Sequence, residues 1–99
     1  MSNNEIIRVI FLTVDNINQM QPKDKQIEKS PDTYLFGRLG KLDSLGLVNL
    51  IIELEQNIHD EFGIQVSLAE DETNFQDNSP FETIASLVYY VSSIIERVE

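Results

Sequence analysis

Leu42-Asp43-Ser44-Leu45 places a serine where an amphipathic helix should begin, because apolar residues recur at helical spacing from there to Phe62. A hydroxyl in a helix's first turn faces backbone N–H groups that lack partners within the helix, and the positive end of the helix dipole. That environment suits a phosphate ester rather than a nucleophile. Nucleophilic catalysis also needs a base within reach. The single histidine, His59, is some four turns along the same helix, about 22 Å away by helical rise. Lys41 is near in sequence, but nothing in the sequence desolvates or orients it. No enzymatic activity is therefore expected. The plain alternative is a well-capped helix, since Asp is a good N-cap and Ser is common beside one.

Three segments carry helical periodicity and none reads convincingly as a strand. The first runs from about Asn4 to Met20, with Ile6, Ile7, Ile10, Val14 and Ile17 in step, and Pro22 stops it. The second runs from Ser44 to Phe62 and closes on Gly63. Ser79-Pro80-Phe81-Glu82 has the form of a capping box with proline at the first helical position, so the third helix is expected to start there. Its stripe continues through Ile84, Leu87, Val88, Val91, Ile94, Ile95 and Val98. Between the first two helices, residues 21–43 form a long connection, unusual in so small a domain and usually functional or flexible. Within it, Tyr34, Leu35, Phe36 and Leu39 are expected to fold back on the core, with Gly37 and Gly40 allowing the bends. Ile64-Gln65-Val66 is expected to be extended chain without a pairing strand, followed by a short helical turn around Leu68–Phe75.

The second helix carries two apolar lines. Leu47, Leu50, Ile51, Leu54, Ile58 and Phe62 fall on one stripe, which faces the core. Leu45, Val48 and Ile52 fall on another, beside the Ser44 end, and Glu55 and His59 continue that side. Asn49, Glu53, Gln56 and Asp60 make the polar back. The second apolar line is either further packing, under the 21–43 connection, or a partner-docking patch ringed by acids.

Composition narrows the function. The chain of 99 residues has 41% hydrophobic content and no cysteine, so it is one domain, 1–99, with a single core and no disulfide, thiolate metal site or thiol chemistry. The net charge of −10 disfavours nucleic acid. Residues 1–42 carry a net +1 and residues 43–99 a net −11, so a partner meeting the Ser44 region should be basic. No metal is expected: the acids of Glu70-Asp71-Glu72 and Asp77 lack the glycine and ligand spacing of a calcium loop. No apolar run is long enough to span a bilayer, and residues 1–20 lack a secretory pattern, so a cytoplasmic protein is expected.

With these features together, the chain resembles the acyl carrier protein family. Asp43-Ser44-Leu45 resembles that family's phosphopantetheine attachment motif. The following amphipathic helix, the Phe62-Gly63-Ile64 ending, the acidic bias and the capped last helix agree, most specifically over residues 36–66. The resemblance implies an all-α four-helix bundle with a long first loop and a short third helix. It implies that Ser44 carries 4′-phosphopantetheine, installed from coenzyme A by a phosphopantetheinyl transferase. The terminal thiol would hold an acyl or aminoacyl group as a thioester, for fatty acid, polyketide or other secondary-metabolite synthesis. Asp43 and Leu45 flank the attachment point. Leu45, Val48, Ile52, Glu53 and Glu55 would form the docking surface for basic partner enzymes, with the carrier itself a monomer. Gly46 and Asn49 stand where fatty-acid-synthesis members usually carry acids, and Phe62 lies a helical turn further from the serine than usual, pointing to a specialised rather than a housekeeping member. Gly46 should also cost the helix about 1 kcal/mol relative to alanine. The alternative is an unmodified acidic helical module that binds proteins.

Overall fold

The first helix, α1 (Asn3–Asn18), packs its inner face on both other long helices in a computed structural model of the chain. The structure describes residues 3–36, 40–68 and 81–98, leaving out the side chains of Asn3, Ser44 and Val98. Ile6, Val9, Ile10, Val14 and Ile17 of α1 are buried at helical spacing, with Ile7 only half-buried. α2 (Ser44–Phe62) and α3 (Ile84–Val98) complete the set, with one 3₁₀ turn at Lys23–Lys25. Among the described residues the architecture is all-α: three α-helices, no strand, and two isolated bridges. No helix among them is long and apolar enough to cross a membrane.

α2 has the bounds that its periodicity predicts. Asp43 is the N-cap, its Oδ1 accepting from the Gly46 N–H at 2.7 Å. At the other end Gly63 takes φ 69°, in the left-handed region, and its N–H donates to the His59 carbonyl at 2.9 Å. The predicted core line is buried through Leu47, Leu50, Ile51, Leu54 and Ile58, while Phe62 is half-buried at the rim. A buried polar bridge runs through the packed α1–α2 face. Asn57 Nδ2 donates to Thr13 Oγ1 at 2.9 Å, and that hydroxyl donates to the Val9 carbonyl at 2.9 Å. Both side chains are buried, so each bond offsets a desolvation cost that would otherwise be unmet.

The start of α3 corrects the sequence expectation. Ser79 and Pro80 lie outside the described residues, but Phe81, Glu82 and Thr83 are not helical, and the helix begins at Ile84. The capping box is Thr83-x-x-Ser86 instead. Ser86 N–H donates to Thr83 Oγ1 at 3.1 Å, and Thr83 N–H donates to Ser86 Oγ at 3.0 Å. The long connection competes for the stretch just before the helix. Leu35 N–H donates to the Glu82 carbonyl at 2.7 Å, while the Thr33 and Pro31 carbonyls accept from Ile84 and Ala85 N–H, each at 3.0 Å. Those two bonds satisfy first-turn donors of α3 that have no partner inside the helix.

Residues 21–43 thus do structural work. Leu35 is buried and Phe36 packs against the core, as expected of the fold-back, whereas Tyr34, expected there too, is exposed; Ile27 and Leu42 are buried as well. Gly37 and Leu39 lie outside the described residues. Gly40 is required by close approach: a Cβ there would stand 2.5 Å from the Leu35 carbonyl carbon. Asn18, at the end of α1, grips the connection, its side chain donating to the Ile27 carbonyl and accepting from the Ile27 N–H. Beyond α2, residues 64–68 have no helix or strand, as expected for Ile64-Gln65-Val66, and Val66 and Leu68 are buried in the core. The helical turn expected around Leu68–Phe75 lies, past Leu68, outside the described residues.

Candidate functional site

Residue 44 is the first residue of α2, immediately after its cap. Asp43 and Leu45, on either side, are exposed, Leu45 at 69%. Both flanking side chains therefore meet solvent, at a helix end that favours negative charge. From there the second apolar line runs along the outside of α2. Val48 and Ile52 are exposed at 36% and 59%. Among the described residues of the 21–43 connection, Ile27, Leu35 and Leu42 are buried in the core, while Leu45, Val48 and Ile52 stay exposed.

The two acids assigned to docking have different neighbours. Glu53 is half-buried, and its Oε1 accepts from Asn16 Nδ2 of α1 at 2.8 Å. It therefore faces α1 more than solvent. Glu55 Oε2 accepts from the Leu68 N–H at 2.7 Å, tying the extended 64–68 segment to α2. Beside that bond lies an open groove of about 400 Å³, whose walls include Ile52, Glu55, Gln56, His59, Gln65 and Val66. His59 is at the far end of α2 from Ser44, on the groove side.

The chain has no match among family models, curated proteins or solved structures.

The bases of the long connection are partly committed within the molecule. Lys29 pairs with Asp15 of α1 at 3.1 Å, and Lys41 Nζ donates to the Gln26 carbonyl at 2.9 Å. Arg38 lies outside the described residues. Among the described residues no group of three His, Cys, Asp or Glu side chains stands ready for a metal ion, and the acids at 70–77 lie outside them. Two residues escaped the sequence reading. Asn57 follows Leu50 and Leu54 at helical spacing, and that position was the available signal of a buried amide. The bond from Leu68 to Glu55 had no signal, since it depends on how the chain returns after Gly63.

Proposed function

We propose that this chain is a carrier protein: an acyl or aminoacyl group is held as a thioester on a 4′-phosphopantetheine arm esterified to Ser44 and presented to partner enzymes. The observation that carries the reading is the exposed line of Leu45, Val48 and Ile52, which starts beside Ser44 on a helix whose other apolar line is buried. An apolar line left in water at that place suits reversible burial against a partner. The residues fit a phosphodiester at position 44, because both neighbours are exposed and the helix N-terminus favours an anion. When bound, the arm supplies the thiol that a cysteine-free chain lacks.

The chain's own residues then have simple tasks. Asp43 fixes the first turn through Gly46 and so sets where residue 44 stands. Leu45, Val48 and Ile52 give a partner apolar surface to cover. The acids of the 43–99 half steer basic enzymes, the transferase first, and raise encounter rates at low salt. The finer architecture proposed is a four-helix bundle of the acyl-carrier type, monomeric and cytoplasmic, in which a short helix follows Leu68. Gly46 and Asn49, in place of the usual acids, favour specialised partners over a housekeeping synthase.

Coexpression with a broad-specificity phosphopantetheinyl transferase, followed by intact-protein mass, tests the reading. The wild type is expected to gain one phosphopantetheine and Ser44→Ala none. A wild type that stays unmodified overturns it in favour of the acidic interaction module.

A further inference from the structure

We propose that the groove along the distal half of α2 seats the head of the carried group, and that this head bears an ammonium. The cargo is then aminoacyl rather than plain acyl. The inference deepens the carrier reading and rests on it. The groove offers about 400 Å³ of open space, within the range that small ligands occupy. Its described walls present one carboxylate, Glu55, with the amides of Gln56 and Gln65, the hydroxyl of Ser67 and the imidazole of His59. No lysine or arginine is among these described walls, so their formal charge is negative. An alkyl chain laid there would take water from polar groups and give them nothing in return. An ammonium, with three donors, answers them.

Glu55 is the anchor. Its side chain is half-buried, which protects its charge from part of the solvent screening. Its Oε2 accepts the Leu68 N–H at 2.7 Å, a bond that fixes the direction of the carboxylate. A carboxylate has several acceptor sites over its two oxygens, so an ammonium adds to that bond without displacing it. Position and reach agree with this role. At 100° per residue, positions 44, 48, 52, 55 and 59 of α2 fall within about 80° of one another, on one side of the helix. By helical rise Ile52 lies about 12 Å, Glu55 about 17 Å and His59 about 22 Å beyond residue 44. A phosphopantetheine arm has about thirteen bonds from phosphorus to sulfur, roughly 15 Å when extended at the ~3.4 Å per three bonds of a polypeptide. The thioester at its end therefore comes level with Glu55. Tethering holds the head at about millimolar effective concentration, so one charged pair with few other contacts is enough.

Nuclear magnetic resonance on the full chain tests it. The transferase is given amide-linked coenzyme A analogues carrying alanyl or isobutyryl, which differ in an ammonium against a methyl group. The alanyl-loaded chain should show shifted Gln56, His59 and Gln65 amide resonances relative to the isobutyryl-loaded one. Glu55→Gln, which keeps an acceptor for the Leu68 N–H, should lose that difference. Free alanine methyl ester, titrated into the unmodified chain beside methyl isobutyrate, reads the groove without Ser44. Its binding should weaken about tenfold in Glu55→Gln. Equal spectra from the two loaded chains, or ester binding unchanged in Glu55→Gln, overturn the proposal. Loading is read separately by mass, so an unmodified Ser44 beside Glu55-dependent ester binding removes the carrier reading and keeps the cation site.

Discussion

Leu54 is fully enclosed while Ile52, two residues away on the same helix, is 59% exposed. The two side chains have nearly equal apolar surface and sit in the same regular backbone. They differ only in direction: Leu54 lies within the buried core cluster, Ile52 faces water beside a groove. Extended along α2, this becomes a contrast between a line that holds the fold and one that the fold does not need. A solvent-facing apolar line costs a protein solubility and gives its own packing little. Its presence at the end of α2 that begins with Ser44 is the observation on which the proposed docking role rests.

Substitution of matched residues on the two lines breaks or sharpens that contrast. Leu54→Ala should destabilise the chain by about 2–5 kcal/mol, through lost burial and a residual cavity. Ile52→Ala should stay within about 0.5 kcal/mol. Urea denaturation of both reads the difference, and equal losses would erase the distinction between the lines. Next in size, Asn57→Ala removes the buried bridge to Thr13 and should cost about 1–3 kcal/mol in the same measurement. Asp43→Ala removes the cap on Gly46 and should cost about 1 kcal/mol, with circular dichroism checking that the remainder of α2 survives.

The smallest stability effects carry the functional side of the contrast. Val48→Ser with Ile52→Ser should leave the midpoint nearly unchanged yet slow transferase loading of Ser44, measured as initial rate at limiting protein. A loading rate equal to the wild type would take those residues out of the docking surface. Gly46→Ala should also be close to neutral. Its helix-propensity gain of about 1 kcal/mol is offset by crowding. The added Cβ would stand 3.1 Å from Leu42 Cδ2 and 3.2 Å from the Asp43 Oδ1 that caps the turn.

Local signals in the sequence carried much of this architecture. The 3.6-residue period gives α2 its bounds because its cap, its core line and its closing glycine all lie within or beside the helix. The same period separates Leu45, Val48 and Ile52 from the core line, but whether anything covers them depends on the path of residues 21–43, which no local pattern sets. The start of α3 shows the limit most clearly. Ser79-Pro80-Phe81-Glu82 has the residue types of a cap, yet pairing of residues 31–35 with 82–85 holds Phe81–Thr83 out of the helix. A contact between residues some fifty positions apart outweighed a local preference worth about 1 kcal/mol. Glu55 was legible as an acid on the side of the second apolar line and illegible as the partner of Leu68 for the same reason.

Trypsin offers the most direct test of the central claim, because no lysine or arginine lies between Lys41 and Arg97. The purified chain is incubated with transferase and coenzyme A and digested, and the 42–97 fragment is sequenced by mass spectrometry. The account predicts one phosphopantetheine on that fragment, localised to Ser44 and missing from Ser44→Ala. A fragment that remains unmodified, or one modified at another residue, contradicts it.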